Sequence, residues 1–331
     1  MGLSGRHFLA STDCSAIEWH QLLDLAAAFK AGQARVHLDG KVLGLIFSKA
    51  STRTRVSFAV AMARLGGQTL DLNPAVTQVG RGELVEDTAR VLSRYVDALA
   101  IRTFAQAELE TYARFSSVPV INALTDLEHP CQAIADFLTL REAFGSLEGL
   151  TLSYVGDGNN VAHSLILAGV LLGVNVRLAC PTGYGPDPAV LDRAQAIAGD
   201  GATVEVLADP EAACLGAQAL YTDVWASMGQ EQEAGQRLRD FSGYCLDQHL
   251  LSLADPEAIV LHCLPAHRGE EISAGVMEGK ASRIFDQAEN RAGQPARVRS
   301  VMPAPAIQPG RGRSAERRTG QRRDPVAQVY W

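Results

Sequence analysis

Short apolar runs alternate along this chain with longer segments of helical pattern, and no other feature constrains the fold as tightly. From Val42 onward "VLGLIFS", "ALAIRTF" and "PVINAL" read as strands, each followed by a polar or helix-starting stretch. After a turn-rich break at Gly145 to Gly149 the same logic returns in "LTLSYVGDG", "NVRLAC", "TVEVLAD", "ALYTDVW" and "AIVLHCLP". Alternation of this kind predicts α/β architecture: two doubly wound parallel-sheet domains, spanning 1–140 and 145–290. Ligands of such folds bind outside the carboxyl ends of the strands, so the active site is expected in the cleft between the domains.

A chain of 331 residues with 47% hydrophobic content supplies enough core for about two ordinary domains. Its net charge of −7 and pI near 5.6 argue against a general nucleic-acid or membrane-surface binder. Six cysteines are scattered without a CxxC or a Cys/His metal spacing, which reads as reduced thiols with neither a disulfide framework nor a zinc site. No basic segment followed by an apolar run opens the chain, and no stretch approaches the ~20 apolar residues of a membrane span. A cytoplasmic, soluble protein is expected. Beyond Asn290 the composition changes: residues 291–331 hold nine arginines, no lysine and only Glu316 and Asp324 as acids, a charge of +7 that leaves −14 for the rest. This Arg/Pro/Gly-rich tail shows little apolar periodicity and is expected to be largely disordered.

The densest chemistry lies in "KASTRTRVSF", where Ser51 to Arg55 bring three hydroxyls and two guanidinium groups directly before a helical pattern. Val56, Val60 and Ala63 mark the apolar spacing of that helix and Gly66 its stop. A helix N-terminus already favours an anion through its free N–H groups and dipole, and Arg53 and Arg55 add charged donors. The nucleotide P-loop spacing is missing and GDGNN is not GxGxxG, so a small phosphate ester or acyl phosphate fits better than a nucleotide. Arg102 ends one strand and faces the same edge. Pro130 suits the first helical turn, which places His129 at the N-cap, able to polarise a carbonyl oxygen. In the second half Asp223 follows a strand and leads into a Ser-Met-Gly segment with a hinge at Gly229, while Cys263 closes another strand. Together the last two could hold and deprotonate an amine.

Taken jointly, "STRTR", "HPCQ", "GDGNN", "DVWASMGQE", "HCLPAHRGEE" and "FDQAENR" resemble the transcarbamoylase family in content and order, over residues from about Arg6 to Arg291. The resemblance, strongest to members acting on ornithine, implies that residues 1–140 bind carbamoyl phosphate through Ser51, Thr52, Arg53 and Thr54, with Arg102, His129, Gln132 and Arg291 joining them. Gln78 would lie in a loop associated with the intersubunit site. Ornithine would be held in the second domain through Asn160, Asp223, Ser227 and Met228, with Cys263 and Leu264 where its amine meets the carbamoyl group. The family further implies a homotrimer or a multiple of it, closure of the Ser-Met-Gly loop on binding, a role in arginine biosynthesis or citrulline breakdown, and no metal or organic cofactor.

Two departures from the family pattern stand out. Ala59 occupies a place where a glutamate is common, a lost helix-surface or subunit contact. After "ENR" the family continues into an amphipathic helix that packs on the first domain, whereas here "AGQPARVRSVMPAPAIQPGRGRS" follows. A reading-frame shift near Arg291 in GC-rich DNA would produce such a mixture, and one of the other frames would then encode an apolar helix. The rival readings are a transcarbamoylase acting on aspartate, putrescine or acetylornithine, a homologue impaired by its tail, and a non-catalytic anion binder.

Overall fold

The computed structural model describes residues 4–34, 37–198, 201–227, 229–291, 298 and 300–302. Strands β1 (Val42–Phe47), β2 (Gln68–Leu72), β3 (Ala98–Arg102) and β4 (Val120–Leu124) pair in parallel in the order β2-β1-β3-β4. A second parallel sheet holds β5 (Thr151–Val155), β6 (Asn175–Ala179), β7 (Val204–Leu207), β8 (Ala219–Thr222) and β9 (Ile259–His262) in the order β7-β6-β5-β8-β9. In each sheet the order reverses beside its first strand, between β1 and β3 and between β5 and β8. Crossover loops leave opposite faces there, and a crevice opens at the strand ends.

The crossovers carry α1 (Ala16–Lys30), α2 (Thr52–Arg64), α3 (Val85–Leu92), α4 (Gln106–Phe115), α5 (Pro130–Phe144) and α6 (Asn160–Leu171). The second lobe adds α7 (Pro188–Ala198), α8 (Pro210–Cys214), α9 (Ala234–Asp240), α10 (Gln248–Leu253), α11 (Ala274–Met277) and α12 (Ile284–Asn290). Helices α5 and α6 pack on each other and are buried along almost their whole length, Pro130 to Leu140 and Val161 to Val170. Helices so enclosed form the spine between the lobes, and one apolar core runs through it from Trp19 and Phe58 to Leu178 and Tyr221. Helix α12 returns from the second lobe to pack against α5. At the sequence break Gly145 caps α5 with φ 78°, a backbone state that glycine adopts without a Cβ penalty.

Two readings of the sequence need correction, and one short stretch of the tail adds to them. Helix α2 turns Val56, Val60 and Ala63 outward and buries Phe58, Ala61 and Met62 instead. Strand β2 went unread because it is a half-exposed edge, "QTLDL", without a continuous apolar run. In the tail, Val298, Val301 and Met302 are buried in the apolar core of the first lobe, with Met302 N–H donating to Val298 O at 3.0 Å and Gly5 N–H to Val301 O at 2.8 Å. Their spacing, three and then one residue, is the apolar period of a helix turn. The other tail residues beyond Arg291 lie outside the described residues. None of the six cysteines is in a disulfide, and none of the described helices is long and apolar enough to cross a membrane.

Candidate active site

A cleft of about 670 Å³ opens between the two sheets at their carboxyl edges, lined from the first lobe by residues 49–54, Arg102, His129 and Gln132, with Arg291 joining them from the end of α12. From the second lobe come Asn159, Asn160, Asp223, Ser227, Cys263 and Leu264. Of the described site residues singled out in the sequence, all but Arg55 and Gln78 line this cleft. Gln78 lines a separate hollow of about 250 Å³ with Ile46, Leu72 and Tyr112, away from the others. Met228 lies outside the described residues. Arg55, counted among the anion donors, pairs instead with Asp71 of β2 and lies over the Phe47 ring.

The first-lobe side is cationic by construction. Ser51 is the N-cap of α2, in extended conformation, and its hydroxyl makes no cap hydrogen bond. Thr54, one turn into the helix, is buried and accepts from Arg291 Nη2. Arg291 Nη1 donates to Gln132 Oε1 at 2.6 Å, while its Nε has no hydrogen-bond partner among the described residues. Arg102, 9% exposed at the end of β3, has its pKa lowered to about 10, chiefly by burial and then by repulsion from Arg291 and Arg53. That shift corresponds to roughly 3 kcal/mol of unfavourable free energy, which a bound anion would relieve. Such a cluster is costly for a purely structural role and natural for an anion site.

His129 stands at the N-cap of α5, before Pro130 at the first helical position, as its sequence predicts. Its backbone N–H donates to Ser164 Oγ at 2.8 Å. Burial, and then the charges of Arg291 and Arg102, push its pKa well below the usual imidazole value, so the ring is neutral at pH 7. Ring atom Nδ1 has no hydrogen-bond partner among the described residues. Two side chains of this wall escaped the sequence reading. Lys49 is buried, pairs with Asp126 at 2.6 Å and lies 4.1 Å from the Phe104 ring centre. Buried Glu128 accepts from Ser11 and Ser164, tying the N-terminal segment to α6. Lys49 was visible as the first residue of the opening motif, whereas the Glu128 contacts span the chain and leave no local signal.

The opposite wall is built around an acid. Asp223 leaves β8 buried, and its carboxylate accepts from Cys263 Sγ at 2.8 Å, Asn159 Nδ2 at 2.9 Å and Val224 N–H at 2.8 Å. Burial and the neighbouring Asp223 push the Cys263 thiol well above its usual pKa, so it is a protonated donor. Asn159 also caps α6 through Val161 and Ala162 N–H, and Asn160 donates across the lobes to Thr125 O at 2.5 Å. The sequence reading named Asn160; its neighbour Asn159 makes the contact to Asp223. Gly158 of GDGNN is required by close approach, since a Cβ there would fall 2.3 Å from Pro186 N. After β9, Leu264 takes φ 59°, a strained left-handed state for a side-chain-bearing residue, held by its N–H donating to His262 Nδ1 at 2.8 Å.

Spacing in the sequence shows no metal-ligand cluster, yet the fold brings Asp223, His262 and Cys263 within 4.8 Å, and likewise His267, Glu270 and Glu271. In the first group the thiol already donates to Asp223, and the His262 ring is used at both nitrogens, by Leu264 N–H and by Glu271 at 3.0 Å. Hydrogen bonding accounts for that group.

The aspartate/ornithine carbamoyltransferase carbamoyl-P binding domain matches residues 6–142, and the Asp/Orn binding domain of the same family matches residues 148–294. The chain belongs to the aspartate/ornithine carbamoyltransferase family. Among curated members it is 69% identical over 289 residues to an ornithine carbamoyltransferase of Parasynechococcus marenigrum, covering 87% of this chain and 91% of the relative. Among solved structures, an ornithine carbamoyltransferase from Gloeobacter violaceus matches with a TM-score of 0.82 at 55% identity, over 90% of this chain and 99% of that one. The Pyrococcus furiosus enzyme of that name matches at 0.87 and 48%, over 91% and 98%.

Proposed function

We propose that the chain is an ornithine carbamoyltransferase: it transfers the carbamoyl group of carbamoyl phosphate to the side-chain amine of L-ornithine, giving L-citrulline and phosphate. One observation carries the reading. Three mutually repelling guanidinium groups, Arg53, Arg102 and Arg291, converge with Thr54 on one wall of a cleft whose other wall presents Asp223 and Cys263. A dianionic acyl donor fits the first wall and a cationic amine the second.

In this scheme the phosphate sits at the start of α2 against Ser51, Thr52, Arg53 and Thr54, with Gln132 and Arg291 fixing its carbamoyl end. Presenting the ornithine side-chain amine neutral at pH 7 costs about 4 to 5 kcal/mol, given a lysine-like pKa. The Asp223 carboxylate takes that proton, the Cys263 Sγ–H being held protonated as its hydrogen-bond partner. Asn160, Ser227, Met228 and Leu264 complete the acceptor pocket. Attack on the carbamoyl carbon builds negative charge on its oxygen, where Arg102, neutral His129 and the Thr54 hydroxyl supply donors or positive charge. Phosphate then leaves into the cradle that held it. On this reading residues 1–140 serve as the donor unit and 145–290 as the acceptor unit, in a cytoplasmic homotrimer or a multiple of it, acting in arginine biosynthesis or in citrulline breakdown.

Citrulline formation from ornithine and carbamoyl phosphate is the test, with aspartate, putrescine and acetylornithine as competing acceptors. Citrulline is expected, with ornithine favoured at least about a hundredfold, as befits a site whose polar groups are paired only by the right acceptor. A folded protein that makes no citrulline, or prefers another acceptor, refutes the reading.

A further inference from the structure

Asp136 lies outside the cleft, yet it sits at the junction of both walls. It is fully buried on α5, one helical turn beyond Gln132, and its carboxylate is filled by donors from three elements. Gln132 Nε2 reaches Oδ1 at 2.8 Å, Gln287 Nε2 of α12 reaches the same oxygen at 2.6 Å, and the Tyr221 hydroxyl of β8 faces Oδ2 at 3.4 Å. Each glutamine uses its other end in the site. Gln132 Oε1 accepts from Arg291 Nη1 at 2.6 Å, and Gln287 Oε1 accepts at 2.9 Å from the backbone N–H of His262, the residue before Cys263. Gln287 Nε2 also touches the Tyr221 hydroxyl at 3.1 Å. An unbroken hydrogen-bonded line therefore runs from Thr54 through Arg291, Gln132, Asp136 and Gln287 to the end of β9.

The direction of this line is set at Asp136. An amide can present either its oxygen or its nitrogen to a neighbour, and the fixed donors and acceptors around it decide which; Asp136 is the acceptor that both glutamines share. Asp136 forces both glutamines to point nitrogen inward, which leaves Oε1 of Gln132 for a guanidinium and Oε1 of Gln287 for a peptide N–H. A flipped Gln132 would set donor against donor at Arg291. We infer that Asp136 is a positioning residue: by orienting Gln132 and Gln287 it aims Arg291 at the donor anion and braces the strand end that carries Cys263. Stability alone does not explain a carboxyl here, since burial raises its pKa to about 7 and, among the described residues, its hydrogen-bond donors are the uncharged Gln132, Gln287 and Tyr221. An apolar side chain of similar volume is often the more stable choice at such a site.

This inference rests on the proposed reaction for its acceptor arm, while its anion arm is tested by inorganic phosphate alone. Asp136→Leu removes the shared acceptor; Asp136→Asn restores it, because its Oδ1 can serve both amides and its Nδ2 can face Tyr221. Calorimetry with phosphate and steady-state kinetics with ornithine are to be run on both, beside melting curves. Asp136→Leu is expected to raise the phosphate Kd about tenfold or more and the ornithine KM about fivefold or more, with Asp136→Asn within about threefold of the parent in both. An Asp136→Leu protein that melts like the parent and keeps both constants within about twofold overturns the inference. So does an Asp136→Asn protein as impaired as the leucine variant. Should Asp136→Leu fail to fold, Gln287→Leu takes its place: an ornithine KM raised about threefold or more is expected, with the phosphate Kd changed less, and an unchanged KM overturns the inference. A parent that binds phosphate but forms no citrulline refutes the reaction and leaves the anion arm standing.

Discussion

Arg102 illustrates how a single side chain separates activity from stability. Its guanidinium is buried among like charges, so the folded state gains little from it and is held back by desolvation and by Arg53 and Arg291. Removing it should therefore spare the fold while taking away a donor at the developing oxyanion. Arg102→Ala is expected to lower kcat by about a thousandfold, the upper range for one such donor, with a melting temperature equal to or above the parent. Arg53→Ala, at the phosphate, should lose a comparable amount of kcat/KM. Near-normal kinetics in either variant would remove that residue from the site. Cys263 makes a different case. With its thiol pKa raised, the group stays protonated through neutral pH and can lose its proton only under alkaline conditions, where a second negative charge beside Asp223 would disturb the acceptor wall. Cys263→Ser keeps a donor to Asp223 but abolishes that ionisation, so kcat should fall about tenfold and the alkaline limb of the rate profile should move up in pH. A profile superimposable on the parent's would show that the thiol ionisation has no part in the rate. These residues were legible because strand ends are legible: Arg102, Asp223 and Cys263 each close or follow an apolar run. Gln287 was equally present in a quoted motif and Asp136 lies four residues past another, but the two are 151 residues apart and nothing local announces the pairing.

At the scale of elements, continuous burial was easy to read and partial burial was not. Eight strands announced themselves as apolar runs, whereas β2 alternates with polar residues at the sheet edge and went unseen. On α2 the spacing of Val56, Val60 and Ala63 was helical, yet the sheet takes Phe58, Ala61 and Met62, because periodicity fixes a stripe only when one face is clearly more apolar than the other. In the tail a short apolar stretch went unread. The arginine and proline content around it concealed the triplet Val298, Val301 and Met302, which fills a place in the first-lobe core beside the N-terminal segment. If that packing contributes to stability as core packing does elsewhere, Met302→Ala should cost about 2 to 5 kcal/mol. Chemical denaturation of the parent and the variant measures this directly, and a loss below about 0.5 kcal/mol would mean that the docked turn adds nothing to the lobe. Citrulline formation should survive in the variant at temperatures where it is still folded, since none of the three residues lines the cleft.

The whole molecule leaves one proposed site residue stranded. Gln78 lies in its own hollow, outside the cleft that gathers its companions, and the apolar side chains Val56, Val60, Leu70, Leu84, Val91 and Tyr95 of the same lobe face outward. Burying that surface against further copies of the chain would both cover it and carry Gln78 toward a neighbour's cleft, which is the arrangement a shared-site trimer requires. Size measurement by light scattering should return three copies or a multiple of three. The decisive measurement is complementation. Gln78→Ala and Arg102→Ala subunits should each be nearly inactive alone, because the first spoils the neighbour's cleft and the second its own. Dissociated together and reassembled, they place an intact Arg102 from one parent opposite an intact Gln78 from the other in about a quarter of the sites, so activity should return to roughly that fraction of the parent's. A site built from one chain alone gives no recovery, and reassembled oligomers that stay inactive would confine the reaction to the cleft within each subunit.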